Sequence, residues 1–153
     1  MNWSRFKRDT TRNVFGKSKL PTVVGTLVTA AYTLFIMLVP LNLGIELVPY
    51  LGPLLGGFTA GAVLGTNVYD GVMYGARAAA YGIVIVALVA TVGSFVLFLQ
   101  ATGQQYFYFS SFIGLVIIFA LVPLAGFVGA LSGPLGTLAR RTVVPRQYNP
   151  PVR

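Results

Sequence analysis

The sequence predicts an all-α, polytopic membrane protein: a bundle of about four transmembrane helices, packed through glycine, with both ends on the inner side. Three observations lead there. Hydrophobic residues make up 56% of the 153-residue chain and charged residues 9%, against about a quarter charged in a soluble domain. A water-soluble fold of this size has no means of covering its surface with so few charges, whereas lipid solvates apolar side chains directly. The apolar residues fall into runs long enough to cross a bilayer, and the net charge of +8 gathers at the two chain ends.

The first segment, residues 1–19, is basic and is read as an interfacial amphipathic stretch. Trp3, Phe6, Val14 and Phe15 interleave there with Arg5, Lys7, Arg8 and Arg12, and Lys17 and Lys19 follow. It is too long for the basic region of a cleavable signal sequence. A helical transmembrane domain is expected over 20–139. Its first span covers about 20–43, uncharged throughout, with Pro21 in the first turn where its missing N–H costs nothing. Glu46 lies in the connection that follows.

The second span, about 49–66, is rich in glycine: Gly52, Gly56, Gly57, Gly61 and Gly65. Residues 67–71, Asn-Val-Tyr-Asp-Gly, read as a tight turn, with Asp70 capping the next helix. The third span, about 72–100, is long for one crossing. Its first two turns are expected at the headgroups, with Arg77 snorkelling. The fourth, about 106–139, exceeds the bilayer core, so a bend at Pro123 or a break at Ser132-Gly133-Pro134 is expected. Residues 140–153 form a basic, proline-rich tail, expected to be extended.

Charge orients the chain. Ten of the eleven basic residues are terminal, Arg77 being the exception, and four crossings place all eleven on one side. With Asp9 and Asp70 that side carries +9, and the opposite side carries Glu46 alone. Basic loops stay inside, so both ends are read as inside. Tyr106 to Phe109 suit the outer aromatic belt, and Tyr69 and Tyr74 the inner one.

The glycines form the most organised pattern. Gly52/Gly56 and Gly57/Gly61/Gly65 are spaced by four, and Gly71, Gly75 and Ala79, with Ala78 and Gly82, continue it. In the last span Gly126, Gly129, Gly133 and Gly136 alternate by three and four. On a helix such spacing makes a smooth face that another backbone approaches closely. The partner is either another helix of the same chain or a neighbouring subunit. A short echo, Pro53-Leu54-Leu55-Gly56-Gly57-Phe58 against Pro123-Leu124-Ala125-Gly126-Phe127, points to a duplicated hairpin.

The sequence also excludes chemistry. It holds no cysteine and no histidine, and only three acids. That leaves no nucleophile–base pair and no transition-metal ligand set, so neither an enzyme nor a cofactor is expected. No ionisable residue falls at mid-membrane, which disfavours ion-coupled transport.

The segments Gly52-Pro53-Leu54-Leu55-Gly56-Gly57-Phe58-Thr59-Ala60-Gly61 and Asp70-Gly71 through Gly75-Ala76-Arg77-Ala78-Ala79-Ala80-Tyr81-Gly82 carry a family resemblance. They resemble a family of small four-span haloarchaeal membrane proteins of unknown function. There, a glycine-rich second helix precedes an acidic-Gly turn and a Gly-Ala-Arg stretch. The resemblance covers about 48–99, and more loosely 120–137, and brings no catalytic residues. Haloarchaeal proteins usually carry acidic tails, and here both are basic. In that respect the chain is similar in kind to membrane proteins of archaeal viruses with an internal lipid layer, whose basic ends face the packaged genome.

The leading functional expectation is a structural protein of a virion membrane or comparable assembly, oligomeric or part of a larger complex. Arg5, Lys7, Arg8, Arg12, Lys17, Lys19, Arg140, Arg141, Arg146 and Arg153 would then contact shell protein, lipid headgroups or nucleic acid. The alternative is a cellular four-span channel, carrier or accessory subunit in the cytoplasmic membrane. Its water-filled path would be lined by Thr26, Thr29, Thr33, Asn42, Thr91 and Ser94.

Overall fold

A computed structural model describes residues 19–38, 51–64, 67–101 and 105–143. They form four helices: α1 (Lys19–Leu38), α2 (Leu51–Leu64), α3 (Val68–Ala101) and α4 (Gln105–Val143). The all-helical class agrees with the sequence reading. Three stretches are long and apolar enough to cross a membrane: Lys19–Met37, Val68–Gly93 and Ala120–Val143. The second helix is shorter than expected. Its 14 residues rise about 21 Å, against a hydrocarbon core of about 30 Å. The basic residues before Lys19, the connection with Glu46, Gly65, and the tail beyond Val143 lie outside the described residues.

Two boundaries differ from expectation. The expected turn at 67–71 is helical from Val68. Asn67 takes the position before the first turn, and its carbonyl accepts the Gly71 N–H at 2.9 Å. Asp70 therefore sits inside the first turn, where a carboxylate meets free N–H groups and the positive end of the helix dipole. At the other end, α4 runs on to Val143, so Arg140 and Arg141 belong to a helix and not to an extended tail. Positive charge in a last turn favours that continuation. Nor does α4 break: it passes through both Pro123 and Pro134.

Contacts between small residues fix the helix directions. Gly52 lies against Thr33, and Gly56 against Thr29 and Gly25, so α1 and α2 are antiparallel. Gly25 meets Ala78 and Gly82 meets Thr29, so α1 and α3 are parallel. Gly71 faces Thr137, and Gly75 faces Gly129 and Gly133, so α3 and α4 are antiparallel. Gly57 faces Gly129, Gly61 faces Gly133 and Gly136 faces Ala62, so α2 and α4 run together. The result is an up-down-up-down bundle. α2 and α3 pack against each other and against both remaining helices, which flank them. Lys19, Leu64, Val68 and Val143 emerge at one end. Of the echoing segments, Gly56 faces α1 as Gly126 faces α3, but other paired positions differ: Pro53 is buried and Pro123 exposed, and Leu55 is exposed and Ala125 buried.

The side chains are distributed inside out relative to a soluble protein. Buried positions hold glycine, the alanines 30, 60, 78, 79 and 125, and the hydroxyl residues Thr22, Thr26, Thr29, Thr33, Ser132 and Thr137. Apart from Pro21 and Pro53, only Tyr74 and Val86 are larger among the described buried residues. Leu27, Phe35, Leu88, Val92, Leu124, Phe127, Leu131 and Leu135 point outward. Water would penalise that arrangement heavily. In lipid, large apolar side chains gain nothing by hiding, and helices associate where small residues let backbones touch. Tyr74 departs from its expected belt position. It is 4% exposed, packed with Ala60 and Ala78, whereas Tyr69 is 75% exposed.

Candidate functional site at the basic end of the bundle

The end where Lys19, Leu64, Val68 and Val143 meet is built by α4 closing over the last turn of α2. A helix leaves its final carbonyls without intrahelical partners, and they need donors from elsewhere. Here α4 supplies donors. The Thr137 hydroxyl donates to Gly61 O at 3.3 Å and to Gly133 O at 3.2 Å. Arg140 Nη1 donates to Ala62 O at 3.0 Å and also to Val63 O. Gly136, against Phe58 O and Ala62 N, allows the approach that brings these donors into reach. The guanidinium thus satisfies carbonyls and places positive charge at the negative end of the α2 dipole.

The Thr137 bridge can be weighed separately. Thr137→Val keeps the shape and removes the donor. We expect the bundle to lose about 1 kcal/mol, read as faster amide exchange in the last turn of α2. Unchanged exchange there would show that the hydroxyl contributes nothing across the interface.

Of the ten basic residues expected to meet a partner, three are described. Lys19 is exposed at the start of α1, and Arg141 is half-buried. Arg140 is half-buried and spends at least one arm of its guanidinium on α2. Arg5, Lys7, Arg8, Arg12, Lys17, Arg146 and Arg153 lie outside the described residues. Asp70 and exposed Tyr69 lie on the first turn of α3, at the same end of the bundle.

The glycines expected to pack helices are placed individually. Gly52 and Gly56 face α1, Gly57 and Gly61 face α4, Gly75 faces α4 and Gly82 faces α1. Gly129 and Gly133 face α3, and Gly136 faces α2. Gly126 is less tightly placed: a Cβ there would meet α3 only at ordinary contact distance, 3.7 Å from Ala76 O. These close faces are all turned toward helices of the same chain. A Cβ on Gly93 or Gly114 would meet nothing of another helix within 4 Å among the described residues.

The hydroxyls proposed for a water path do not all converge. Thr26, Thr29 and Thr33 share a buried face of α1 with Thr22, at spacings of three and four. Thr29 donates to Gly25 O, while the hydroxyls of Thr26 and Thr33 have no hydrogen-bond partner among the described residues. Thr91 is exposed on α3 and bonds its own helix at Ala87 O. Asn42 and the Ser94 side chain lie outside the described residues. Thr26, Thr29 and Thr33 were named from the sequence, whereas Gly25 was missed, its one signal being its place among those threonines. The role of Arg140 as a cap for a different helix was not readable there. Among the described residues no group of three His, Cys, Asp or Glu side chains comes together.

Comparison with known proteins finds no match among curated proteins and none among solved structures. A family model does match, over residues 20–139. It takes in the described helices almost completely and stops at both basic segments, so ten of the eleven basic residues fall outside it. With a match over most of its length, the chain belongs to DUF5518, a family of unknown function.

Proposed function

We propose that this chain is a structural integral membrane protein of a virion or comparable membrane assembly. Its helices form a self-contained body in lipid, and its basic ends together grip an anionic partner: shell protein, lipid headgroups or packaged genome. The observation that carries the reading is the helix register, which brings Lys19, Arg140 and Arg141 to one end of a bundle whose outer surface is apolar. The lack of histidine and cysteine throughout the chain supports a non-catalytic role. The glycine faces serve to hold the body together. Association between copies therefore uses the larger apolar side chains or the ends.

Orientation is tested by labelling. The chain has no cysteine, so Lys19→Cys and Thr142→Cys each introduce a single exposed thiol. An impermeant maleimide added to sealed vesicles should label both from the same face. Labelling from opposite faces would overturn the arrangement. The partner is tested by photocrosslinking from residues 1–20 and 140–153 in the intact assembly. A purified chain that stays monomeric, with both basic segments mobile by NMR in the presence of lipid, shell protein and nucleic acid, would sink the proposal.

A second reading, a small channel or carrier, is favoured by one observation. Thr26 and Thr33 hold buried hydroxyls with no partner among the described residues, along the α1 face. Solute flux into liposomes that is lost in a Thr26→Val, Thr33→Val double variant would favour that reading over the structural one.

A further inference from the structure

Arg77 is the one basic residue away from the chain ends. The buried residues of α3 are Gly71, Tyr74, Gly75, Ala78, Ala79, Gly82 and Val86, and they define the face toward α1, α2 and α4. At 100° per residue, Arg77 falls on the opposite side, with Met73 and Val84. Asp70 shares that side, two turns nearer the basic end. Arg77 and Asp70 are both half-buried, and neither takes part in an ion pair among the described residues. Arg77 therefore stands on the outer, lipid-facing side of the bundle, in no ion pair with an acid among the described residues.

Depth follows from helix length. The 34 residues of α3 rise about 51 Å, so about 20 Å must lie outside a hydrocarbon core of about 30 Å. From Arg77 to Gln100, the polar residue near the far end, the rise is about 34 Å. That places Arg77 at the hydrocarbon–headgroup boundary and Asp70 about 10 Å further out. Helical side chains lean toward the N-terminus of their helix, so Arg77 leans toward Asp70 and the headgroups. A guanidinium at that depth needs an anion, and the chemistry within reach is the phosphate of a lipid.

We propose that Arg77 and Asp70 form a binding site for one phospholipid headgroup, with Arg77 on the phosphate and Asp70 on an ammonium group carried outside it. The order of charges along the helix, cation deep and anion shallow, mirrors the order of phosphate and amine in a zwitterionic headgroup. The site uses none of the ten terminal basic residues and does not depend on what they grip.

The test is native mass spectrometry of the full-length chain in detergent, with phosphatidylethanolamine, phosphatidylglycerol, diacylglycerol of the same tails, or inorganic phosphate added. Phosphatidylethanolamine should be retained and diacylglycerol lost. Arg77→Gln should weaken retention of both phospholipids about tenfold, and Arg77→Lys should restore part of it. Asp70→Asn should remove the preference for phosphatidylethanolamine over phosphatidylglycerol. Lys19→Gln should change neither. Circular dichroism identifies any variant that has failed to fold, and Arg77→Lys then carries the test. Retention indifferent to Arg77, or inorganic phosphate competing as well as the lipid, would overturn the proposal.

Discussion

Gly133→Leu should abolish helix packing while leaving the helices themselves intact. Gly133 is where three helices converge. A Cβ there would strike Gly71 O and lie 2.8 Å from the Gly71 carbonyl carbon and 3.3 Å from Gly75 Cα. A Cβ on Gly61 would in turn strike Gly133 O. The obstacles are backbone atoms, which have no rotamer to escape into. Overpacking that flexible side chains relieve costs about 1–3 kcal/mol, and here the cost should be at least about 3 kcal/mol. In lipid a single helix keeps its own hydrogen bonds, so helicity by circular dichroism should barely change. Amides of α2 should lose their protection from exchange, and trypsin should gain access. Gly93→Leu and Gly114→Leu are the controls, because a Cβ at either position would meet nothing of another helix within 4 Å among the described residues. They should be neutral, or slightly stabilising through helix propensity. Retained protection in Gly133→Leu would mean that the α2–α3–α4 contact is wrong.

Arg140→Leu should release the end of α2. The guanidinium donates to Ala62 O and Val63 O, and leucine keeps the stem's volume without the donors. Hydrogen bonds from a charged donor contribute about 1.5–3 kcal/mol. A loss of about 2–3 kcal/mol is expected, concentrated in the last turn of α2. Arg140→Lys, which keeps the charge but not the planar fork, should recover part of it. The readout separates this role from partner binding. Exchange at residues 61–64 should accelerate in the isolated chain, with no partner present. Were Arg140 only a contact for an anionic partner, the isolated variant would exchange like the parent.

The basic end had looked uniform in sequence, ten cations awaiting one kind of partner, and the structure divides it. Lys19 remains exposed, while Arg140 is largely committed to the fold. Tyr74 shows the same limit. An aromatic near an expected interface reads as a belt residue, yet Tyr74 fills the gap between Ala60 and Ala78. Nothing local distinguishes it from exposed Tyr69. In both cases the role depends on what a different helix brings alongside. The turn expected at 67–71 went astray for a more local reason. Asn, Asp and Gly suit a turn and a helix start alike, and Gly71 is needed for the close approach of Gly133 and Thr137.

The sequence alone determined the helical class, the apolar surface, three of the four expected spans and the concentration of charge at the ends. Those follow from composition and from lengths of uncharged chain, because a bilayer requires internally hydrogen-bonded backbone and tolerates few charges. It also marked the small-residue faces through their spacing. Only the tertiary structure decided which faces meet, that α2 is too short to match its neighbours, and that α4 caps it. Glycine and alanine carry no side-chain chemistry to name a partner. Their pairing is settled by steric fit between whole helices, and that fit exists only once all four lie side by side.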